Sequence, residues 1–401
     1  MRRVVPPAVL LPLVGLLAAA VALVTSPGAQ ASPELQPATS AVTLHVEPND
    51  GYAPIVAFIG SAKKTLDFNI YQFNDAVIAQ ELKDAKRRGV DVRVIFTWQV
   101  FPAGSNLWDS TSSTFNTNMP TFNDLQKAGI KVRLSPYFYP YSHEKTMIAD
   151  GRTGSGRALI MDFNAQPGYL VATPGLLGCR GFAVTTSNQA DVREIQGVFD
   201  ADWQRRIPTT LQSPRLVWSP NGVGYTPVSK GKERIFALMD GATKTLDLYV
   251  LLLDYLPFQD RIIAAERRGV DVRIITNTNP RPMAFQQLQT LVAAGVEFRF
   301  NPSYDGNGIF IHSKAIIRDA GTANGMAFVG SQNSGDNISM NAERELGILL
   351  GRPKEIDRMH RTFQDDWEHG SSLTYTDGKL NDPFWINYAA QSVSSRLAQP
   401  D

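Results

Sequence analysis

Apolar and polar positions along this chain follow two alternating periods. Residues 53–64 place apolar side chains at helical spacing, and residues 65–71 then alternate with the period of a strand. Residues 75–88 form an amphipathic helical stretch closed by Gly89, and 91–97 is a β-branched strand. A helix over 122–128 and a strand over 131–134 follow. A helix over about 189–205 closes this block, and residues 208–226, with three prolines, read as a connector. Residues 102–118 are rich in Ser, Thr and Asn, with Trp108 and Phe115 interleaved, and read as a surface loop or a lid.

The same order then recurs. Lys64-Thr65-Leu66-Asp67 returns as Lys244-Thr245-Leu246-Asp247, and the run from Arg87 to Arg93 returns from Arg267 to Arg273, both 180 positions on. Phe199 and Asp202-Trp203 return as Phe363 and Asp366-Trp367, 164 positions on. The slowly drifting offset marks a duplication with small insertions rather than a short-period solenoid. Strand–helix alternation in each copy predicts an α/β fold of two halves, each a mixed sheet flanked by helices. The expected division is a first half over 32–207, a connector over 208–226, a second half over 227–370 and a tail over 371–401. That tail includes Pro383-Phe384-Trp385.

The N-terminal stretch differs from the rest. Arg2 and Arg3 precede an apolar run from Ala8 to Val24, broken by Ser26-Pro27-Gly28 and followed by Ala29-Gln30-Ala31. A charged start, an apolar centre and a small-x-small site read as a signal peptide over 1–31, so a secreted or periplasmic location is expected. The competing reading is an uncleaved anchor, since the run is marginal for a membrane span. No later stretch has that length, so the remainder is expected to be soluble.

Composition narrows the function. There are 39 basic and 38 acidic residues, and cleavage after Ala31 would leave 37 against 38, a balance that does not favour a nucleic-acid binder. The lone Cys179 can form no internal disulfide, and five histidines leave little for a metal site. No metal or other cofactor is expected.

One motif carries chemistry. His143-Glu144-Lys145 with Asp150 has the spacing H-x-K-x-x-x-x-D, and His312-Ser313-Lys314 with Asp319 repeats it 169 positions on. On a strand, His and Lys two apart point to one face. An ammonium attracts phosphate oxygens, and an imidazole can attack phosphorus or carry a proton near neutral pH. Two halves facing each other would bring both pairs to one phosphate, so that one His attacks while the other protonates the leaving oxygen. Downstream, Ser331 and Asn333 in Gly330-Ser331-Gln332-Asn333 can hydrogen-bond phosphate oxygens. The first copy keeps Asn164 at the same offset but has Met161 and Asp162 in place of Gly330 and Ser331.

The paired motifs, the Gly-Ser-x-Asn run and the duplicated frame resemble the phospholipase D superfamily, over about residues 42–367. The resemblance implies a metal-independent phosphodiesterase working through a phosphohistidine, with its site between the halves on a pseudo-twofold axis. It implies nucleophile and acid/base roles for His143 and His312. Lys145, Lys314, Asn164 and Asn333 would bind phosphate, and Asp150 and Asp319 would serve the scaffold more than the chemistry. Members commonly carry an acid on the strand after the Asn. Here Glu345 takes that place in the second copy and Gly181 in the first, so the halves are not equivalent. If Glu345 reaches across, it holds His143, which predicts His143 as nucleophile and His312 as general acid. Glu343 is a near neighbour that could take the same role.

The resemblance fits a secreted enzyme cleaving phospholipid head groups, by hydrolysis or by transfer to an alcohol, in transient contact with a membrane surface and active as a monomer. Tyr137, Phe138, Tyr139 and Tyr141, just before the first motif, either line a lipid-facing mouth or pack in loop and core. The alternative is a secreted endonuclease of the same superfamily. Arg87-Arg88 and Arg267-Arg268 would then be of interest, but each pair sits at a helix end, where cations favour the helix dipole. A membrane-bound cardiolipin-synthase-like transferase and a non-catalytic binding protein are further readings.

Overall fold

The computed structural model describes residues 35–100, 105–106, 117–171, 178–208, 211–221, 229–277, 285–304, 307–372, 375–376 and 379–380. The expected signal peptide, most of the 102–118 loop and the tail beyond 380 lie outside the described residues. Among the described residues no helix is long and apolar enough to cross a membrane.

The first half runs β1 (Val42–Glu47), α1 (Ala53–Ser61), β2 (Thr65–Ile70), α2 (Ala76–Arg87), β3 (Asp91–Phe96), α3 (Met119–Lys127) and β4 (Lys131–Leu134). It continues with β5 (Thr146–Ala149), β6 (Arg157–Met161), β7 (Cys179–Thr186) and α4 (Gln189–Trp203). The second half follows with β8 (Leu216–Ser219), α5 (Gly231–Asp240), β9 (Thr245–Tyr249), α6 (Leu256–Arg267), β10 (Asp271–Thr276), α7 (Phe285–Ala293) and β11 (Glu297–Phe300). Then come β12 (Phe310–Ile311), β13 (Ile316–Arg318), β14 (Met326–Gly330), α8 (Asn337–Asn341), β15 (Glu345–Leu350), α9 (Pro353–His369) and β16 (Ser371–Ser372).

The sheet orders are β1-β7-β6-β5-β2-β3-β4 and β8-β15-β14-β13-β9-β10-β11-β16, so the duplication persists through seven strands and β16 is added at the edge of the second sheet. In each, the three strands from the helix-linked segment are parallel and the rest antiparallel, which makes both sheets mixed. β12 leaves its own half and pairs parallel with β7 of the other.

The residues expected as a plain connector contain a strand. Leu216, Val217 and Trp218 are buried, and β8 closes the second sheet against β15 as β1 closes the first against β7. The prolines flank this short apolar run rather than interrupt it, which leaves its ladder donors intact.

The repeated sequence has a structural cause. Asp67 and Arg93 lie opposite each other on parallel β2 and β3 and are joined by two hydrogen bonds of 2.7 Å. Asp247 and Arg273 repeat the pair on β9 and β10, with a bond of 2.8 Å. Gly89 and Gly269 end α2 and α6 at φ +88° and +82°, the left-handed conformation that glycine adopts without strain. Arg88 and Arg268 donate to the carbonyls of Ile59 and Met239, near the ends of the preceding helices.

Each half packs helices on the outer face of its sheet, with Leu82 and Phe68 in one core and Ile262 and Leu248 in the other. A third core lies between the sheets and draws Ile160 and Val184 from the first half and Val329 and Ile348 from the second. Two reciprocal buried ion pairs cross this layer. Arg344 Nε donates to Asp202 at 2.9 Å, and Arg180 Nε donates to Asp366 at 2.6 Å. Such exchange of equivalent partners is what a twofold relation between the halves requires.

Candidate active site

Both His–Lys pairs sit in extended residues just before β5 and β13, not within the strands, yet the two-residue spacing still delivers each pair together. The neighbouring half fixes the backbone there. His143 N–H donates to Arg344 O at 2.9 Å, and His312 N–H donates to Arg180 O at 3.3 Å. The two arginines thus serve twice, through the side chain as cross-half ion pairs and through the carbonyl as clamps on the motifs.

The four motif side chains are buried, with His143 7%, Lys145 0%, His312 5% and Lys314 2% exposed. They feel one another. Burial lowers the His143 imidazole to about 4 against the opposing pull of Glu345, with Lys145 and Lys314 also lowering it. Burial, Lys314, Lys145 and His143 push His312 well below its ordinary value. Burial and Lys314 lower Lys145, and burial brings Lys314 to about 8. Burial and mutual repulsion disfavour positive charge on these four groups, and a phosphate anion among them would favour it.

His143 Nδ1 lies 2.9 and 3.0 Å from the two carboxylate oxygens of Glu345, at the start of β15. Ser339 of α8 donates its hydroxyl hydrogen to Glu345, and Ser331 also hydrogen-bonds it. Burial would raise the Glu345 carboxyl, but His143 and Lys145 hold it below its ordinary value. Glu343 sits 3.9 Å from the same ring nitrogen, and burial beside Glu345 pushes its carboxyl well up. The two carboxyls are therefore distinct: Glu345 is held low by the imidazole it bonds, and Glu343 is pushed up by burial and by Glu345. His143, Glu343 and Glu345 present ligand atoms within 4.8 Å of one another, enough to hold a cation among the described residues. Both carboxyls, however, already face the Lys145 ammonium.

His312 has a different partner. Its Nδ1 lies 2.9 Å from Lys314 Nζ and 3.0 Å from the main-chain oxygen of Asp162, and Lys314 Nζ donates to the same oxygen at 3.1 Å. Tyr71 packs edge-on against the His143 ring and Tyr169 against the His312 ring, with centroids 4.6 and 5.1 Å apart. Asn164 Nδ2 donates to Gln72 and Gln166, while Oδ1 of Asn164 and Oδ1 of Asn333 are buried without a hydrogen-bond partner among the described residues.

Three expected site residues lie elsewhere or act otherwise. Asp150 and Asp319 stand at the far ends of β5 and β13, some five residues or roughly 16 Å along an extended strand from the lysines. Asp150 accepts from the backbone N–H of Lys63, Lys64 and Thr65, and Asp319 from that of Thr243, Lys244 and Thr245. Both adopt positive φ and pin a turn, so they belong to the scaffold. The Ser331 hydroxyl accepts from the Leu346 N–H and donates to the Leu346 carbonyl, beside Glu345, which leaves it bracing the strand that carries the acid rather than facing a phosphate. Asp162, Ser339, Tyr71 and Tyr169 were not singled out from sequence. Only Asp162 carried a signal, as a charged residue standing where the other copy has Ser331.

This fold and this double His–Lys centre define a phospholipase D-type protein. A family model described as "Cardiolipin synthase, PLD-like domain" matches residues 55–172 and 235–367, and the chain belongs to that family, within the phospholipase D superfamily. The chain is 31% identical over 140 residues to "Phospholipase D Y" of Dictyostelium discoideum, which is 34% of this chain and 30% of that protein. It is 24% identical over 320 residues to "Minor cardiolipin synthase ClsB" of Bacillus subtilis (strain 168), covering 74% of this chain and 72% of that protein. The chain thus spans under a third of the first relative and most of the second. The structure of phosphatidylserine synthase from Haemophilus influenzae Rd KW20 superposes with a TM-score of 0.63 at 12% identity, over 90% of this chain and 96% of that one. Polyphosphate kinase from Porphyromonas gingivalis superposes with a TM-score of 0.58 at 14% identity, over 88% of this chain and 55% of that one.

Proposed function

We propose that this protein is an exported enzyme that breaks the phosphodiester of phospholipid head groups through a phosphohistidine and passes the phosphatidyl group to water or to a second alcohol. The observation that carries the reading is the convergence of two buried His–Lys pairs, one of them held by Glu345 across the interface. Glu345 fixes the Nδ1–H tautomer of His143, which leaves Nε2 with a free lone pair. Nε2 attacks phosphorus, forming a P–N bond as the P–O bond to the head group breaks. His312 gives a proton to the leaving oxygen. The incoming water or alcohol then loses its proton to His312 and attacks phosphorus, which breaks the P–N bond. Lys145, Lys314 and the amides of Asn164 and Asn333 hold the non-bridging oxygens. The names of the two relatives, a phospholipase and a synthase, support both acceptors.

The surface supports a lipid over a nucleic acid. Seven large apolar side chains stay exposed among the described residues: Val77, Tyr137, Phe138, Ile207, Leu256, Phe310 and Ile338. Val77 and Leu256 open the helices that follow β2 and β9, Tyr137 and Phe138 follow β4, Phe310 precedes His312, and Ile338 follows β14. Ile207 follows α4, whose last turn returns to that same end, and Arg205 lies over the Tyr137 ring at 4.9 Å. All seven therefore surround the end where the His–Lys pairs lie. Arg87, Arg88, Arg267 and Arg268 close helices that run away from that end, so the doubled basic runs face the wrong way to bind a nucleic acid at the site.

Purified protein lacking residues 1–31, with EDTA present, would be given phosphatidylcholine vesicles and plasmid DNA in parallel, with His143→Ala as control. Head-group release that vanishes in the variant is expected. DNA nicking without lipid cleavage would transfer the reading to the nuclease.

A further inference from the structure

The two halves solve the problem of an acid beside the imidazole in opposite ways. In the second half the acid is Glu345, the first residue of β15, and its neighbour on the adjoining strand end is the small Ser331. In the first half the small residue is Gly181 on β7, and the acid, Asp162, stands where Ser331 does. The Ser331 hydroxyl accepts the Leu346 N–H at 3.1 Å, and Asp162 Oδ1 accepts the equivalent Phe182 N–H at 2.8 Å. The second carboxylate oxygen of Asp162 then crosses the interface, where the Ser313 hydroxyl donates to it at 2.7 Å and the Lys314 N–H approaches at 3.4 Å.

The arrangement permits only one acid. A Cβ on Gly181 would stand 2.9 Å from Asp162 Oδ1 and 2.6 Å from Phe163 Cδ1, closer than such atoms approach. The side chains of Phe163 and Asp162 thus fill the space from which a Glu345-like side chain would grow. The Asp162 carboxylate is fully buried, so a charge there must be compensated, and the compensating group at hand is Lys314.

We propose that Asp162 is the positioning residue of the second His–Lys pair, its acid transferred from one strand to the next, holding His312 and the Lys314 ammonium through its main-chain oxygen and the motif backbone and Ser313 hydroxyl through its carboxylate, which sets a buried negative charge beside Lys314. The difference from the first pair has a chemical consequence. A full carboxylate on Nδ1 strengthens His143 as a base, whereas a carbonyl on Nδ1 leaves His312 the weaker base and the readier proton donor. The division of labour between the histidines then lies in this exchange of Ser331/Glu345 for Asp162/Gly181. The role in proton transfer rests on the functional reading above; the link from Asp162 to Lys314 does not.

Two measurements separate these. First, Lys314 would be titrated by lysine side-chain NMR in the wild type and in Asp162→Asn, an isosteric change that keeps the backbone carbonyl. Besides Asp162, the groups facing Lys314 are His143, His312, Lys145, Glu343, Glu345 and Cys179, all present in both proteins. A Lys314 titration lower by about one pH unit is expected, the effect of removing one close opposite charge. An unmoved Lys314 overturns the proposal whatever the substrate is. Second, kcat and KM would be measured on the soluble diester p-nitrophenyl phosphocholine. Asp162→Asn is expected to lower kcat about tenfold to a hundredfold, the range for residues that orient an active group, with KM within about threefold. Asp162→Ser with Phe163→Gln and Gly181→Glu, which copies Ser331, Gln332 and Glu345, is expected to recover about tenfold over Asp162→Asn. Wild-type kcat in Asp162→Asn would overturn a role for the Asp162 carboxylate in proton transfer. A wild type inactive on both this diester and lipid would instead count against the functional reading and leave the Lys314 result to decide the positioning role.

Discussion

His143 and Glu345 are 202 positions apart in the chain, yet the ring nitrogen of one lies 2.9 Å from the carboxylate of the other. This contact is available only after both halves have folded and docked, so it ties the reactivity of the imidazole to the integrity of the interface.

Glu345→Gln keeps the shape of the side chain but can present its amide hydrogens to Nδ1 and so favour the wrong tautomer. A fall in kcat of about 10²- to 10⁴-fold is expected, with lipid binding retained. Labelled substrate should leave phosphohistidine on His143 in the His312→Ala protein and none in His143→Ala. Label found only in His143→Ala would reverse the assignment of nucleophile.

The buried pair of Arg344 and Asp202 should behave as a structural fastening. Arg344→Met strands the Asp202 carboxylate without its cation, and a loss of about 3–5 kcal/mol is expected. Arg344→Met with Asp202→Leu should regain much of it, read as the midpoint of urea unfolding. A single variant as stable as the wild type would contradict this account.

Glu144 is buried between its motif neighbours, and burial pushes its carboxyl up to about 8 despite the opposing charge of Arg344. Its folded value is above its unfolded one, so between about 4.5 and 8 the folded state holds the extra proton and stability falls as pH rises. Glu144→Gln carries no such proton. The difference in melting temperature between variant and wild type should therefore widen in the variant's favour as pH goes from 5 to 8. A constant difference would show that Glu144 is charged in the folded protein.

Asp150 offers a contrast with the motif residues it follows. It accepts three backbone N–H groups, which hold its carboxyl below the ordinary value against the effect of burial. Asp150→Ala should cost about 1–2 kcal/mol, comparable to losing a good helix cap. The kcat of the folded fraction should stay within about twofold, and a collapse of kcat at full stability would place it in the chemistry after all.

The apolar rim predicts a split between substrates. Leu256→Asn with Ile338→Asn removes two of its most exposed members. The rate on vesicles relative to that on a soluble diester should fall by about a hundredfold, since each buried leucine-sized group adds roughly 1.5–3 kcal/mol to interfacial binding. An unchanged ratio would mean that the rim does not meet lipid.

Much of this was legible in the residues. The 180-position repeat identified the halves because Asp67 and Arg93 recur as a buried ion pair, and a pair needed for packing keeps its spacing in both copies. The His–Lys motifs were legible for the same reason. What stayed hidden was what happens across the interface. Asp162 looked like the loss of a serine and Gly181 like the loss of an acid, because a linear alignment compares columns one at a time. The compensation exists only where β6 and β7 lie side by side. Ser331 was misread similarly, since a hydroxyl in a phosphate-binding run can turn either to the ligand or to the acid behind it. The strand at Leu216–Ser219 was hidden by its prolines, which flank rather than break it.

The reciprocity of the halves also limits their ancestry. Two copies of a single half-length chain could dock by the same exchange, with each arginine on the other's aspartate and each motif on the other's backbone. Such a pair would carry one sequence, and so the same acid beside both imidazoles. Keeping Glu345 for one histidine and Asp162 for the other requires two different halves, and a fused chain delivers them always in equal number and never mismatched.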